Sequence, residues 1–271
     1  MVTGKRVSRG QVTVARALSK LGAASRARAR ELIAAGEVTV NGHPVTDPGA
    51  WLDPREDRLA ILGRPVRPGD SVYLMMHKPR GVITTRSDER GRATVYELLP
   101  AEPQGVFPVG RLDKDTSGLL LFTNDTRFGE SVTNPLSRTG KTYRVVLDRP
   151  LRDEDAREIA SGMILKDGTR LRPAKIVQDR APGSYLMTIT EGRNRQIRRM
   201  CVDLGYDVAA LERIGIGGVE LGALGEGAVR ALTEEEVLLL TEREVRGISR
   251  RAKSFRKKKI VTSGKRGRAG R

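Results

Sequence analysis

Apolar residues first fall into register at Val14, Ala17, Leu18 and Leu21, the i, i+3, i+4, i+7 spacing of one helical face, with Gly22 as a stop. A second helix is predicted from Ser25, a candidate N-cap, to Gly36. Ala29, Leu32 and Ile33 form its inward side, and Arg26 and Arg30 lie one turn apart on another. The segment "EVTVNG" reads as a strand closing on an Asn-Gly turn at Asn41, a strong hairpin signal. A strand in "RLAILG" and the linker "RPVRPGD" complete a compact unit over residues 11–68. From Ser71 onward the periodicity mixes. "VYLMM", "GLLLF", "KTYRVVL" and "SYLMTIT" read as strands, whereas "RQIRRMCVDLG" places Ile197, Met200, Cys201 and Leu204 on one helical face. Thr233 and Glu236 have capping-box spacing ahead of "VLLL". Strands and helices without regular βαβ alternation predict an α+β architecture. The five-residue apolar run "GLLLF" needs burial on both faces, so it is expected at the centre of a sheet.

Composition narrows the chemistry. One cysteine, Cys201, excludes an internal disulfide framework and a cysteine-based zinc site, and two histidines, His43 and His77, make a histidine-rich metal centre a poor fit. No apolar run approaches the roughly 20 residues that span a bilayer, and the first ten residues have no apolar signal region; a reduced, cytoplasmic protein is expected. The net charge of +17 is concentrated at the ends. Residues 246–271 carry twelve Lys or Arg and residues 1–10 carry three, neither with any acid, which leaves 35 basic against 33 acidic residues between them. These ends read as disordered basic tails suited to a phosphate backbone.

The stretch "VGRLDKDTSGLLLFTND" sets Asp113 and Asp115 two residues apart, beside Arg111 and Lys114, at the mouth of the predicted central strand. Two such carboxylates could be an acid/base pair, a metal site, or one nucleophile with a solvated neighbour. A loop entering a central strand is held firmly, and Thr116, Ser117 and Gly118 can turn the chain and donate to a carboxylate. Neighbouring cations favour the ionised form, which suits a nucleophile. A carboxylate-pair hydrolase needs one acid kept protonated in an apolar pocket, and "RLDKD" is too basic for that. Cys201 and His77 read as a core thiol and a strand-end imidazole. No glycine-rich phosphate loop is present, so no cofactor is expected.

The register "ARALSKLGAASRARARELIAAGEVTVNGHPV" resembles the S4 RNA-binding domain. The ordered segments "HKPRG", "DERGRATVYELLP", "PVGRLDKDTSGLLLFTND", "KTYRV" and "EGRNRQIRRM" then resemble a bacterial RsuA/RluB-type ribosomal RNA pseudouridine synthase over residues 11–245. The resemblance implies a small S4 domain at 11–68 and a catalytic domain at 69–245, built on a mixed, largely antiparallel sheet with flanking helices. It implies isomerisation of a flipped-out uridine in ribosomal RNA, the large-subunit RNA more than the small, by a monomer without cofactor, metal or membrane partner. The rival reading is a non-catalytic rRNA-binding or ribosome-assembly factor. By resemblance Asp113 is the nucleophile, Tyr143 stacks on the target uracil, and Arg198 pairs with Asp113. RNA contacts are expected from Arg111, which would take the place of the flipped base, and from Lys78 and Arg92 as backbone contacts. Arg193, Asn194, Arg195 and Gln196 are expected around the helix entry, and Ser25, Arg26, Arg28, Arg30 and Asn41 on the S4 face. On a helix through 196–204, Arg198 borders the buried stripe, whereas Arg195 and Arg199 are expected further out, toward solvent or RNA.

Overall fold

The computed structural model describes residues 10–24, 26–67, 71–100 and 105–241. Ser25, residues 1–9 and residues 242–271, which include the predicted basic tail, lie outside them. The first unit orders β1 (Val12–Thr13), α1 (Val14–Lys20), α2 (Arg26–Ala34), β2 (Val38–Val40), β3 (His43–Pro44), β4 (Trp51–Leu52), β5 (Leu59–Ile61) and β6 (Arg64–Pro65). Thr13 caps α1 by accepting from the Arg16 amide, and Gly36, at φ 73°, ends α2 in the left-handed conformation that glycine enters without a Cβ clash. The helices pack through Ala17, Leu18, Ala29 and Ile33, none of them exposed, over the small β3-β2-β5-β6 sheet. Asn41 and Gly42 are both left-handed, at φ 53° and 83°, as the predicted hairpin turn requires. The Asn41 amide is consumed within that turn, donating to Asp57 at 2.8 Å and accepting from the Arg58 amide at 2.9 Å. It holds the hairpin while remaining exposed on the S4 unit.

The second unit is a nine-stranded sheet in the order β11-β12-β10-β13-β9-β7-β15, with β8 beside β9 and β14 beside β13. Its strands are β7 (Tyr73–Lys78), β8 (Phe107–Val109), β9 (Ser117–Thr123), β10 (Lys141–Leu147), β11 (Lys175–Gln178), β12 (Ser184–Ile189), β13 (Val208–Ile216), β14 (Val219–Glu220) and β15 (Val229–Ala231). Helices α3 (Thr126–Thr133), α4 (Asp153–Ser161) and α5 (Gln196–Asp203) flank it, and a single 3₁₀ turn covers Val95–Leu98. Every strand pair is antiparallel except β9 with β13, so that junction joins two antiparallel halves. The "GLLLF" segment is buried throughout within β9, with Leu119, Leu120, Leu121 and Phe122 at no exposure and apolar clusters on both faces. Each such side chain contributes roughly 1.5–3 kcal/mol by leaving water, which makes β9 the fixed spine of the domain.

Gly118 is what allows the junction to close. At φ +105° it lies opposite Arg213, and a Cβ there would stand 2.3 Å from the Arg213 carbonyl oxygen and 2.6 Å from its nitrogen. Only glycine lets β9 and β13 approach this closely. Thr233 and Glu236 form the predicted reciprocal cap at the start of the helical segment 234–241. No helix among the described residues is long and apolar enough to cross a membrane.

Candidate active site

Asp113 lies in the loop that runs from β8 into β9, immediately beside the parallel junction. Five consecutive carbonyls of this loop are hydrogen-bonded. The Thr84 hydroxyl donates to Leu112 at 2.8 Å, the Thr116 amide to Asp113 at 3.1 Å, and the Gly81 amide to Lys114 at 2.8 Å. The Arg198 guanidinium donates to Asp115 at 2.9 Å, and the Lys78 ammonium to Thr116 at 2.9 Å. A backbone tied at each residue cannot shift without breaking several bonds of roughly 1 kcal/mol or more each, so the Asp113 side chain is presented in one direction. That side chain retains 38% of its exposure and faces a cavity of about 550 Å³.

One face of the sheet forms the cavity floor. Side chains alternate along a strand, so Lys141 and Tyr143 of β10 share a face. Tyr143 is the cross-strand partner of Arg213 on β13, and Lys141 that of Ile189 on β12. All four line the cavity with Asp113, and Tyr143 retains only 9% exposure. Tyr143 is thus anchored in the sheet and reaches the cavity floor.

The rim comes from the "EGRNRQ" segment and from Arg111. Glu191, 8% exposed, organises it by accepting from the Arg172 amide at 2.9 Å and the Gln196 side-chain amide at 3.1 Å and by standing 3.5 Å from Arg193. Arg193, Asn194 and Arg195 are exposed along the cavity edge, and Arg111 faces it from the other side. Arg195 occupies the N-cap of α5 with left-handed φ 47°, uncommon for a residue with a side chain, and this turns it over the cavity.

Three sequence assignments change. The ion partner of Asp113 is Arg195, 3.8 Å away, and not Arg198. Arg198 borders the buried stripe, as the helical period predicts, but there its guanidinium passes beneath the loop and meets the Asp115 and Val208 carbonyls at 2.9 and 3.3 Å. Burial lowers its pKa from the usual guanidinium value, the Arg195 charge adds to this, and Asp115 and Asp113 oppose it. Arg195, expected outward, is instead the arginine over the carboxylate. Lys78 is not an RNA contact: it has no exposure, and its ammonium binds the Pro79 and Thr116 carbonyls at 2.8 and 2.9 Å. Burial pushes its pKa down to about 8, with Asp113 and Asp115 partly offsetting the shift. Gln196 is likewise buried and spent on Glu191 and the Arg193 amide.

Other assignments fall on exposed side chains. Arg92 grips Asp88 through two hydrogen bonds of 3.1 and 2.6 Å, which organises its loop. Arg26, Arg28 and Arg30 are exposed on α2, Arg28 within 2.9 Å of Glu31. Asp115 is exposed and contributes its carbonyl, not its carboxylate, to the loop's support. Arg199 pairs with Asp167 away from the cavity. Cys201 is a core thiol whose pKa burial pushes up to about 12. Sequence reading missed Thr84, Lys141, Glu191 and Arg213. For Arg213 a signal was present, since a charge falls on the inward stripe of the strand "ALERIGI", alternating with Leu211.

This geometry coincides with a family pattern. Residues 72–203 match the family model of RNA pseudouridylate synthases, and residues 12–59 match that of the S4 domain. Ribosomal large subunit pseudouridine synthase B of Bacillus subtilis is 37% identical over 220 residues, covering 79% of this chain and 89% of that one. Ribosomal small subunit pseudouridine synthase A of Escherichia coli is 35% identical over 210 residues, covering 77% and 90%. A crystal structure of a pseudouridylate synthase superposes with a TM-score of 0.64 at 29% identity, over 85% of this chain and all of that one. The chain therefore belongs to the RNA pseudouridine synthases of the RsuA/RluB type, enzymes that isomerise uridine within RNA.

Proposed function

We propose that this enzyme converts a uridine of ribosomal RNA, in the large-subunit RNA, to pseudouridine, with Asp113 as the nucleophile. The observation that carries the reading is the single half-exposed carboxylate of Asp113, held at the cavity by a fully hydrogen-bonded loop, over a floor that contains Tyr143. The target base leaves its stack, which costs a few kcal/mol, and Tyr143 and Arg111 offset that cost. The Asp113 carboxylate then attacks C1′, releasing the base with the electron pair of the C1′–N1 bond, or adds to C6, pushing electrons onto the ring. On the first path the base rotates and C5 bonds to C1′ as the Asp113–C1′ ester breaks. On the second the C1′–N1 bond breaks, C5 bonds to C1′ and Asp113 is expelled from C6. On either path the C5 proton departs while N1 gains one. Arg195 keeps Asp113 oriented, and Arg198 and Lys78 keep the loop in place beneath it. In this reading residues 11–68 are the docking unit, and Arg26, Arg28 and Arg30 take phosphates, because one flipped base offers too little surface to choose a site.

Mapping pseudouridine in ribosomal RNA from a strain lacking the gene tests the assignment. The expected result is loss at one position, or two neighbours, of the large-subunit RNA, restored by the wild-type gene. Loss only in small-subunit RNA would overturn the choice of subunit, and no loss in either would overturn ribosomal RNA as substrate.

A further inference from the structure

Among the described residues, three buried polar side-chain atoms have no hydrogen-bond partner: Thr116 Oγ1, Arg198 Nε and Arg213 Nη2. All three belong to residues that line the cavity or brace the Asp113 loop. Arg213 is the most demanding. It is 2% exposed, its Nε donates to the Leu119 carbonyl at 2.7 Å, and no carboxylate pairs with it among the described residues. Lys141 stands on the same floor, half-buried, with no hydrogen-bond acceptor among the described residues, and its pKa is lowered by burial and by the Arg213 charge. The opposite face of the same two strands shows the ordinary solution, where Arg144 is held by Asp179 and Glu212, each at 2.9 Å. Two uncompensated cations side by side at a buried floor cost stability and are retained where an anion comes to meet them.

We propose that Lys141 and Arg213 are catalytic residues that bind the ring oxygens of the detached or enolised uracil and carry its negative charge between bond breaking and bond formation. The proposal rests on the pseudouridine synthase reading above. Attack of Asp113 at C1′ sends the C1′–N1 electron pair into the ring, and addition at C6 sends the C5–C6 pair toward O4. Either path loads a ring oxygen with charge that the substrate lacks, so a cation fixed at that oxygen favours the transition state over the ground state. Forming C5–C1′ spends the ring's electron pair and frees Asp113; the C5 proton then leaves and N1 takes up a proton, which returns the ring to neutrality. A phosphate is the less suitable anion here. Arg213, on the cavity floor, is too deeply buried for one, whereas the exposed arginines of the rim are open to solvent.

The test uses the full-length protein and ribosomal RNA transcripts tritiated at uridine C5, whose tritium is released on conversion. Lys141→Met, Lys141→Arg and Arg213→Lys are compared with wild type in single-turnover rate at saturation and in RNA Kd. The expected result for Lys141→Met is a rate lower by about a hundredfold with Kd changed less than about threefold. Lys141→Arg and Arg213→Lys, which keep the charge, should lie between wild type and Lys141→Met. A Lys141→Met rate within threefold of wild type, or a weakened Kd with the saturating rate intact, would overturn the proposal. Should Arg213→Lys fail to fold, the Lys141 pair still decides, because that side chain is not fully enclosed. Wild-type turnover lost in Asp113→Asn upholds the underlying reading whatever Lys141→Met does. A wild type inert on every ribosomal transcript removes both.

Discussion

The two sides of the 112–116 loop are lined by the same kind of residue in opposite circumstances. Beneath it, Lys78 and Arg198 are buried or partly buried, and the Lys78 ammonium and the terminal guanidinium nitrogens of Arg198 donate to backbone carbonyls. Above it, Arg111, Arg193 and Arg195 are exposed, and only Arg195 approaches Asp113, at a loose 3.8 Å. The difference shows how a carboxylate can be surrounded by cations and remain partly exposed at a cavity. The inner cations are absorbed by the backbone and fix its position. The outer ones stay at a distance where solvent still screens them.

The inner side should therefore fail through stability and the outer side through binding or rate. Gly118→Ala has the largest expected effect, because a Cβ would drive into the Arg213 backbone at 2.3 Å and must also hold φ +105°. We expect destabilisation of about 3 kcal/mol or more, enough to abolish soluble expression or lower the thermal midpoint by many degrees. A midpoint within two or three degrees of wild type would contradict the tight junction.

Lys78→Met comes next, since it leaves the Pro79 and Thr116 carbonyls without a donor, at a cost of about 2–4 kcal/mol in urea unfolding. This site also gives a pH signature. The Lys78 pKa is about 8 in the folded protein and near 10.5 in the unfolded chain. Between those values the unfolded state holds more of this proton, so folding is favoured progressively as pH rises. The stability gap between wild type and Lys78→Met should widen from pH 8 to pH 10, and a gap that narrows would mean the ammonium is stabilising where it lies.

Arg195→Ala is the smallest of the three in stability, within about 0.5 kcal/mol, because it removes a partly exposed pair. It should instead weaken RNA binding severalfold and reduce its salt dependence by about one ion. Arg198→Ala should show the reverse, an unfolding free energy lower by about one or two kcal/mol with the salt slope unchanged.

Much of this was legible in the sequence, and the failures share a cause. The α+β class, the central position of "GLLLF", the Asn-Gly hairpin and the α5 stripe all follow from periodicity, which reports which face is buried. The position of a charged tip does not follow from it. Lys78 reads as a surface base in "HKPRG", yet β7 pairs with β9 so that Lys78 lies opposite Gly118, inside the sheet. Arg195 lies three residues before Arg198 but outside the helix, and its left-handed N-cap conformation exchanges the roles that an ideal helical wheel gives them. The alternation of "ALERIGI" marks Arg213 as inward, but its place beside Tyr143 comes from a cross-strand pair that only the fold creates.

The account depends most on Asp113 as the one group that reacts. Wild-type and Asp113→Asn proteins, incubated in excess with C5-tritiated ribosomal RNA from cells lacking the enzyme, measure this directly. The substitution leaves the loop's carbonyl bonds untouched, so the variant should keep its thermal midpoint and RNA affinity. Its tritium release should fall by about four orders of magnitude or to background. An asparagine protein that still forms pseudouridine within about tenfold of the wild-type rate would show that Asp113 is not the nucleophile.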